Sequence, residues 1–512
     1  MSYQETYKKW CTDPYFDAQT QEELKNLEGN EKEIEDCFYR QLEFAREATL
    51  CLNANGIHTY LFESLRPTPE LSFAVRELGC IAGIVITASH NPREYNGYKV
   101  YWEDGAQITP PHDKNILAEV AKVTDFSMVK TMEEDEARAE NLFSIIGTDF
   151  DDKYIAQLKK QSIHPEAAKD MKIVYTPLHG TGNIPVRRVL RELGFTQVYV
   201  VEEQKVPDGN FPTVPYPNPE DKNAWTLALE LAKKVDADII LATDPDADRL
   251  GVHAKDTKTG EYVSFTGNMS GMLIAEYILR ERTKTGTMPE NPALVETIVT
   301  TDMAKAVAKE YNTALIEVLT GFKYIGEQIR LFDETGSHHY VFGLEESYGC
   351  LAGTYARDKD APVAVMMLCE VAAYYKLQGK TLWDAMVELY EKYGYYKEDL
   401  ATVTLKGIDG SQKITAMMNA FRENPPKELG GFKVLACRDY KSDCRRDMIT
   451  GETTSTGLPT SNVLYYELEN NAWCCVRPSG TEPKIKYYFG VKGENFKDAE
   501  EKLEALKKAM TE

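Results

Sequence analysis

Apolar positions along this chain switch repeatedly between short unbroken runs and a helical spacing, and each switch predicts a strand next to a helix. The run Ile81–Ile86 is bounded by turn residues and reads as a strand buried on both faces. Ahead of it, Thr68-Pro69 opens a helix that sets Leu71, Ala74, Val75 and Leu78 on one face. A second unit runs from a strand at Lys172–Tyr175 through a turn at Pro177–Gly182 and a helix from about Pro185 to a strand at Gln197–Val201. The acidic stretch Thr148–Asp152 before it reads as a linker. A third unit has a strand at Ala293–Val299, a helix start at Thr300-Thr301-Asp302, a helix to about Glu310 and a strand at Ala314–Val318. It closes on the helical pattern Ala361–Leu377, stopped by Gly379. Ile239–Ala242, Tyr340–Phe342 and Ala472–Val476 are further strand-like runs.

Strand and helix in alternation predict α/β domains with largely parallel sheets. From about Glu398 the pattern changes: Leu400–Leu405 alternates, and Ile485, Tyr487, Phe489 and Val491 alternate ahead of a C-terminal helix, so a smaller α+β domain is expected there. At 512 residues the chain exceeds one core, and about 150 residues per domain suggests roughly three or four domains. The expected divisions are 1–147, 148–260, 261–395 and 396–512.

Charge narrows the partners. A formal charge of -22 repels nucleic acid and anionic membrane, so an anionic ligand must be drawn by a local basic cluster. No run approaches the length of a membrane span and Met1–Trp10 carries no apolar signal core, which argues for the cytoplasm. Ten cysteines without metal or disulfide spacing read as reduced, mostly structural thiols, with Cys474 and Cys475 on opposite faces of a strand.

Four loops carry candidate chemistry. Thr87-Ala88-Ser89-His90-Asn91-Pro92 exposes Ser89 at the end of a buried strand, where ligands sit in open α/β sheets; an ordinary turn is the competing reading. Thr243-Asp244-Pro245-Asp246-Ala247-Asp248-Arg249 sets three carboxylates at alternate positions, and their repulsion calls for a hard cation such as Mg²⁺. An EF-hand fails, because its sixth position would be Arg249 and its twelfth Lys255; a solvated acidic turn is the alternative. Gly343-Leu344-Glu345-Glu346-Ser347-Tyr348-Gly349 offers paired acceptors suited to vicinal sugar hydroxyls, or else two surface glutamates. Arg477-Pro478-Ser479-Gly480-Thr481-Glu482-Pro483 suits a phosphate, with a guanidinium fork, two hydroxyls and a glycine that admits an anion to the backbone, or is a plain turn. In Arg357-Asp358-Lys359-Asp360 the basic groups suit a phosphate, and Asp360 suits a helix cap.

These four loops, in this order, resemble the α-D-phosphohexomutase superfamily, closest to its bacterial phosphoglucomutase branch, over nearly the whole chain. The resemblance implies four domains around a central cleft: three related α/β domains and a smaller C-terminal α+β domain, one loop from each. It implies a Mg²⁺-dependent isomerase acting on small sugar phosphates, glucose 1-phosphate and glucose 6-phosphate, with glucose 1,6-bisphosphate as intermediate and activator. By position, Ser89 would carry the phosphate and help Asp244, Asp246 and Asp248 hold the metal, while Lys99 acts as general acid/base beside His90. Glu345 and Ser347 would hold sugar hydroxyls with Arg249 and Lys359 assisting, and Arg477, Ser479, Gly480 and Thr481 would grip the non-reacting phosphate. Phosphopentomutase and phosphomannomutase stay open as substrate choices, and a sugar phosphatase or a non-catalytic sugar-phosphate-binding protein as other classes; monomer and dimer stay open as assemblies.

One departure stands against the resemblance. After a segment like Glu33–Phe44, family members carry a Gly-Thr-x-Gly-Leu-Arg-Gly motif with an ensuing strand and helix. Here Glu43-Phe44-Ala45-Arg46 passes directly into a helix-like stretch ending Asn53-Ala54-Asn55-Gly56-Ile57. The departure predicts a shortened first domain with part of its sheet and an active-site arginine missing, lower stability there, and weak or absent turnover.

Overall fold

The computed structural model describes residue 25 and residues 41–167, 170–405, 408–479 and 484–511. One run of elements occurs three times in it: helix, strand, helix, strand and a return hairpin. The first copy is α1 (Gln41–Asn53), β1 (Thr59–Phe62), α2 (Thr68–Glu77), β2 (Ala82–Thr87) and β3 (Gly97–Trp102), followed by α3 (His112–Val120), α4 (Glu134–Ala139), β4 (Phe143–Ile146) and α5 (Thr148–Lys159). The second adds a strand in front: β5 (Lys172–Thr176), then α6 (Asn183–Glu192), β6 (Gln197–Val200), α7 (Thr226–Val235), β7 (Ile239–Thr243) and β8 (Leu250–Lys255), with β9 (Tyr262–Phe265) at the edge. After α8 (Gly267–Thr285), the third repeats the second: β10 (Pro292–Thr297), α9 (Met303–Glu310), β11 (Ala314–Val318), α10 (Phe322–Thr335), β12 (His339–Glu345) and β13 (Gly349–Ala352).

In the second unit the strand order is β6-β5-β7-β8-β9, and in the third it is β11-β10-β12-β13. β5 and β10 are central, parallel to both neighbours, and the last hairpin turns antiparallel. Every residue of β7 is buried, as its unbroken apolar run demands of a strand covered by helices on both faces. The first unit differs. Among the described residues, β1 pairs only with β4, in parallel, and β2 only with β3, antiparallel, giving two separate two-stranded sheets. β2 is half-exposed over most of its length and Ile81 just ahead of it is 72% exposed, although its sequence reads as a fully buried strand.

Two helices bind the units together. α11 (Ala361–Lys376) is apolar on nearly every side and almost wholly buried, packed against α8 and α6. Its first turn is closed by Asp360, which accepts from the Val363 N–H at 2.8 Å. The stretch Thr148–Asp152, read above as a linker, is instead the first turn of α5, which buries Phe150, Tyr154, Ile155 and Leu158. Its acidity marks a helix start, since Asp149 and Asp151 sit where exposed N–H groups favour negative charge. The strand read as Ala293–Val299 ends at Thr297, and Ile298 and Val299 pack against the C-terminal region instead.

After α12 (Leu382–Tyr393), that region begins with β14 (Tyr395–Thr404) and α13 (Ile408–Glu423). It continues through β15 (Glu428–Leu429), β16 (Phe432–Asp439), β17 (Cys444–Asp447), β18 (Thr453–Thr454), β19 (Leu464–Leu468), β20 (Trp473–Pro478) and β21 (Lys484–Gly493) to α14 (Phe496–Thr511). The strands form one eight-stranded antiparallel sheet, ordered β14-β21-β20-β19-β16-β17-β18 with β15 beside β16. One face packs under α14, where Cys474 is buried; the other holds Tyr465, Trp473, Cys475 and Tyr488 against Ile298, Val299 and Leu319 of the third unit. Among the described residues, no helix is long and apolar enough to cross a membrane.

The joint between the third unit and this sheet carries a titratable group. Glu398 on β14 accepts from Thr301 Oγ1 at 2.5 Å, and burial pushes its carboxyl up to about 7, against the opposing hydrogen bonds from Thr301 and Asn268. A carboxyl raised by folding contributes stability in full below its unfolded value near 4.5 and loses it as pH rises through about 7. This group's contribution to the thermal midpoint should therefore fall between pH 5 and 7 in the parent, and Glu398→Gln should flatten that slope, as differential scanning calorimetry across the range will show.

Candidate active site

The turns of the three hairpins meet in one basin. Ser89 follows β2 with a positive φ of 52°, a conformation a serine adopts only when held. Thr87 Oγ1 holds it, accepting from the Ser89 N–H at 2.7 Å. The Ser89 hydroxyl is buried, 3.4 Å from Asp244 Oδ2 and 3.2 Å from His90 Nδ1. Burial, with Arg249 nearby, drives the His90 imidazole down to about 3, so it is neutral at physiological pH.

Asp244, Asp246 and Asp248 lie in the β7–β8 turn, all buried, with a ligand atom from each within 4.8 Å of the others. Asp244 Oδ1 accepts from the Asp248 and Arg249 N–H groups at 3.1 and 3.0 Å, which ties the turn into a ring. Burial, then Asp246 and Asp248, push the Asp244 carboxyl well above the usual range. Burial acts on Asp248 in the same sense, but Lys359, Lys99 and Arg249 outweigh it and hold that carboxyl well below. Lys99 Nζ sits 3.0 Å from Asp246 and 3.5 Å from Asp248, and Lys359 Nζ sits 3.0 Å from Asp248. Among the described residues, the buried Asp246 Oδ1 and Asp248 Oδ1 have no hydrogen-bond partner. Two orphaned anionic oxygens beside a third carboxylate and a serine hydroxyl are a donor set for a hard divalent cation.

Glu345 ends β12, facing this cluster, and Glu346 follows it in the turn. Burial pushes Glu345 up to about 7, with Lys359 pulling the other way and Glu346 adding to the rise. Lys359 reaches the basin past Gly349, where a Cβ would come within 2.1 Å of the lysine chain. Glu346 Oε2 accepts from Thr297 Oγ1 at 3.2 Å, and Ser347 Oγ lies 3.5 Å from Glu346 Oε1. Arg249 joins the loops, its guanidinium 3.7 Å from Asp248 and 3.2 Å from Glu220.

The fourth loop begins at Arg477 on β20, whose guanidinium donates to the buried Tyr488 hydroxyl. Ser479 N–H bonds the Lys484 carbonyl at 2.8 Å. Gly480 and Thr481, expected in the phosphate cradle, lie outside the described residues. Arg357, one of the basic groups considered for phosphate, turns away: its N–H donates to Ser72 Oγ and its guanidinium to Asp333 and the Thr354 carbonyl.

Several side chains of this basin escape sequence reasoning. Thr68 opens α2 against the metal turn, its N–H 2.9 Å from the Asp246 carbonyl and its hydroxyl 3.2 Å from Asp246 Oδ2. Tyr101 donates to Asp358 at 2.5 Å, and Asp358 in turn accepts from Lys359 at 3.1 Å. Lys486 lies opposite Arg477 in the β20–β21 register, and burial followed by Arg477 lowers its ammonium. Only this last had a signal, since period-two alternation through Ile485 and Tyr487 puts Lys486 on the other face.

Residues 36–126, 152–258 and 266–393 match the phosphoglucomutase/phosphomannomutase α/β/α domains I, II and III. The chain belongs to that family. A phosphoglucomutase of Staphylococcus aureus (strain bovine RF122 / ET3-1) is 38% identical over 472 residues, covering 92% of this chain and 83% of that protein. Among solved structures, the open form of pp63/parafusin, a phosphoglucomutase from Paramecium, aligns with a TM-score of 0.64 at 18% identity over 88% of this chain and 81% of that one. An Aspergillus fumigatus N-acetylphosphoglucosamine mutase, solved with GlcNAc-6P and magnesium, aligns with a TM-score of 0.52 at 12% identity over 92% and 93%. These likenesses give the chain the phosphohexomutase architecture, three α/β/α domains with a C-terminal sheet and helix, in a family of isomerases that use a metal.

Mutual repulsion in the carboxylate cluster gives a sign-specific test. Asp244→Asn keeps the oxygen that ties the turn and removes a charge, so the metal-free protein should melt at the same or a higher temperature than the parent. Millimolar MgCl₂ should raise the parent's thermal midpoint and leave the variant's unmoved; an equal shift in both would show that the cation binds elsewhere.

Proposed function

We propose that this chain interconverts glucose 1-phosphate and glucose 6-phosphate through a phosphate carried on Ser89, with Mg²⁺ held by Asp244, Asp246, Asp248 and a phosphoserine oxygen. The observation that carries the reading is the buried Ser89 hydroxyl 3.4 Å from Asp244 Oδ2, inside a carboxylate cluster with two orphaned oxygens. The curated phosphoglucomutases at 38% identity support the same substrate. When bound, Mg²⁺ offsets the charge on the phosphoserine and on the phosphoryl group in flight.

The C1 and C6 oxygens of a hexose are too far apart for one intramolecular hop, so the serine lends its phosphate. The free sugar hydroxyl attacks phosphorus, a sugar O–P bond forms, and the Ser89 Oγ–P bond breaks. Lys99, kept as an ammonium by Asp246 and Asp248, gives a proton to Ser89 Oγ as the Oγ–P bond breaks and is restored by the proton that the attacking hydroxyl releases, so the count is unchanged. Glucose 1,6-bisphosphate then turns over in the cleft and returns its other phosphate to Ser89. Neutral His90 keeps its Nδ1 within hydrogen-bond distance of the serine hydroxyl between transfers. Glu345 and Ser347 hold sugar hydroxyls with Arg249 and Lys359 beside them, and Arg477, Ser479, Gly480 and Thr481, aided by Lys486, hold the idle phosphate. The reading takes domain limits near 147, 260 and 395, glucose 1,6-bisphosphate as activator, and the cytoplasm as location.

In a coupled assay with glucose 1,6-bisphosphate, the parent should turn over and Ser89→Ala should fall to background. Mass spectrometry should find one phosphate, on Ser89; no turnover and no phosphate would defeat the proposal. Lys486→Ala should raise KM about tenfold with little change in kcat, the loss of one charge-assisted contact to the idle phosphate.

The split sheet of the first unit supports a second reading, a chain that binds sugar phosphates without transferring them. Exchange of label between ³²P-glucose 1,6-bisphosphate and the protein separates the two, because only a transferring enzyme acquires it.

A further inference from the structure

The three aspartates of the metal turn divide their oxygens in the same way. Asp244 Oδ1 takes two backbone N–H groups and leaves Oδ2 to the Ser89 hydroxyl. Asp248 Oδ2 lies against Lys359 and Lys99, while its Oδ1, 3.7 Å from the Arg249 guanidinium, has no hydrogen-bond partner among the described residues. Asp246 Oδ2 accepts from Lys99 Nζ at 3.0 Å and from Thr68 Oγ1 at 3.2 Å, and its Oδ1 is likewise left over. Each carboxylate thus commits one oxygen to the protein and keeps one to spare, an arrangement that delivers three single oxygens to one cation.

The lysines in this scheme are shared. Lys99 Nζ serves Asp246 and Asp248, and Lys359 Nζ serves Asp248 and Asp358. Thr68 instead makes two bonds to one residue: its N–H donates to the Asp246 carbonyl at 2.9 Å and its hydroxyl to Asp246 Oδ2. Its place in the chain permits this. As the first residue of α2 it has an N–H with no partner inside the helix. Pro67 and Pro69 on either side have their φ fixed by their rings, and Thr68 itself is 1% exposed, so the donor pair is held in one position.

We propose that Thr68 is a positioning residue of the metal site: by clamping Asp246 at both its carbonyl and its carboxylate it stops that side chain from rotating, so that Asp246 gives a cation one oxygen rather than two and the site selects Mg²⁺ over Ca²⁺. The inference rests on the metal site of the proposed function. Both cations carry the same charge, so charge alone cannot tell them apart and geometry must. Mg²⁺ demands near-octahedral geometry at short range, whereas Ca²⁺ accepts carboxylates through both oxygens, at longer range and in looser arrangements. An Asp246 free to turn serves the second cation and not the first. Lys99 does not replace the clamp, because it gives a proton to Ser89 Oγ during transfer and its hold on Asp246 Oδ2 weakens at that moment. Partners that orient a ligand in this way typically change metal affinity by about 10- to 100-fold when removed.

The test is calorimetric titration of MgCl₂ and, separately, of CaCl₂ into the full-length protein and its Thr68→Val, Thr68→Ala and Thr68→Ser variants, read without substrate. Alanine places no methyl against the carboxylate and covers the case in which the valine variant does not fold. The expected result is a Kd for Mg²⁺ raised at least about tenfold by valine and alanine, a Kd for Ca²⁺ within about threefold of the parent's, and serine within about threefold of the parent for both. Unchanged Mg²⁺ affinity in the valine and alanine variants would overturn the proposal. So would an equal loss for both cations, which assigns Thr68 a merely structural role. Asp244→Asn in the same titration keeps the metal reading apart. No saturable Mg²⁺ binding by the parent, or binding that survives in Asp244→Asn, defeats the metal site and Thr68 with it; binding lost in Asp244→Asn and kept in Thr68→Val defeats the Thr68 inference alone.

Discussion

Three carboxylates buried within a few ångströms of one another set the terms for everything around them. Left alone, they would repel and drive protons onto one another, and Asp244 already shows that strain in a carboxyl raised by burial and its neighbours. The fold answers with cations from separate units: Lys99 from the first, Arg249 beside the turn itself, Lys359 from the approach to α11. Two of them are fixed by a contact outside the cluster, Lys359 through Asp358 and Tyr101, Arg249 through Glu220. The charge balance is thereby also the mechanical joint between units, and the two aspartate oxygens left without partners mark where a further positive charge belongs.

The repeated topology explains why chemistry collects there. In each α/β unit the last parallel strand turns back as a hairpin, and the turn stands at the carboxyl end of the sheet, outside its hydrogen-bonding pattern. A rigid apolar strand thus presents a short polar loop whose backbone is free to adopt special geometry, as at Ser89, Ala247 and Tyr348, each with positive φ. The loop after β5 and the last residue of β10, Thr297, brace those turns in the second and third units. Among the described residues of the first unit, β1 and β2 do not pair with each other.

Much of this was legible in the chain. Unbroken apolar runs marked β2, β5 and β7, and the four polar loops were each placed at a strand end by the same pattern. Cys474 and Cys475 point to opposite faces, as adjacent strand residues must. Acidic residues in Thr148–Asp152 misled, since a helix start and a linker share that composition until the buried face of Phe150, Tyr154 and Leu158 is counted. Asp360 and Arg357 were open alternatives by sequence; geometry made one a cap and the other a structural anchor.

The sequence by itself determined the elements, the order of the loops and the kinds of group each loop offers, because hydrophobic period and residue chemistry are local properties. Only the tertiary structure decided which groups meet: that Ser89 faces Asp244, and that Lys99 and Lys359 share Asp248. Those contacts join residues more than a hundred positions apart in the chain, and no local period encodes a distance between segments that only packing brings together.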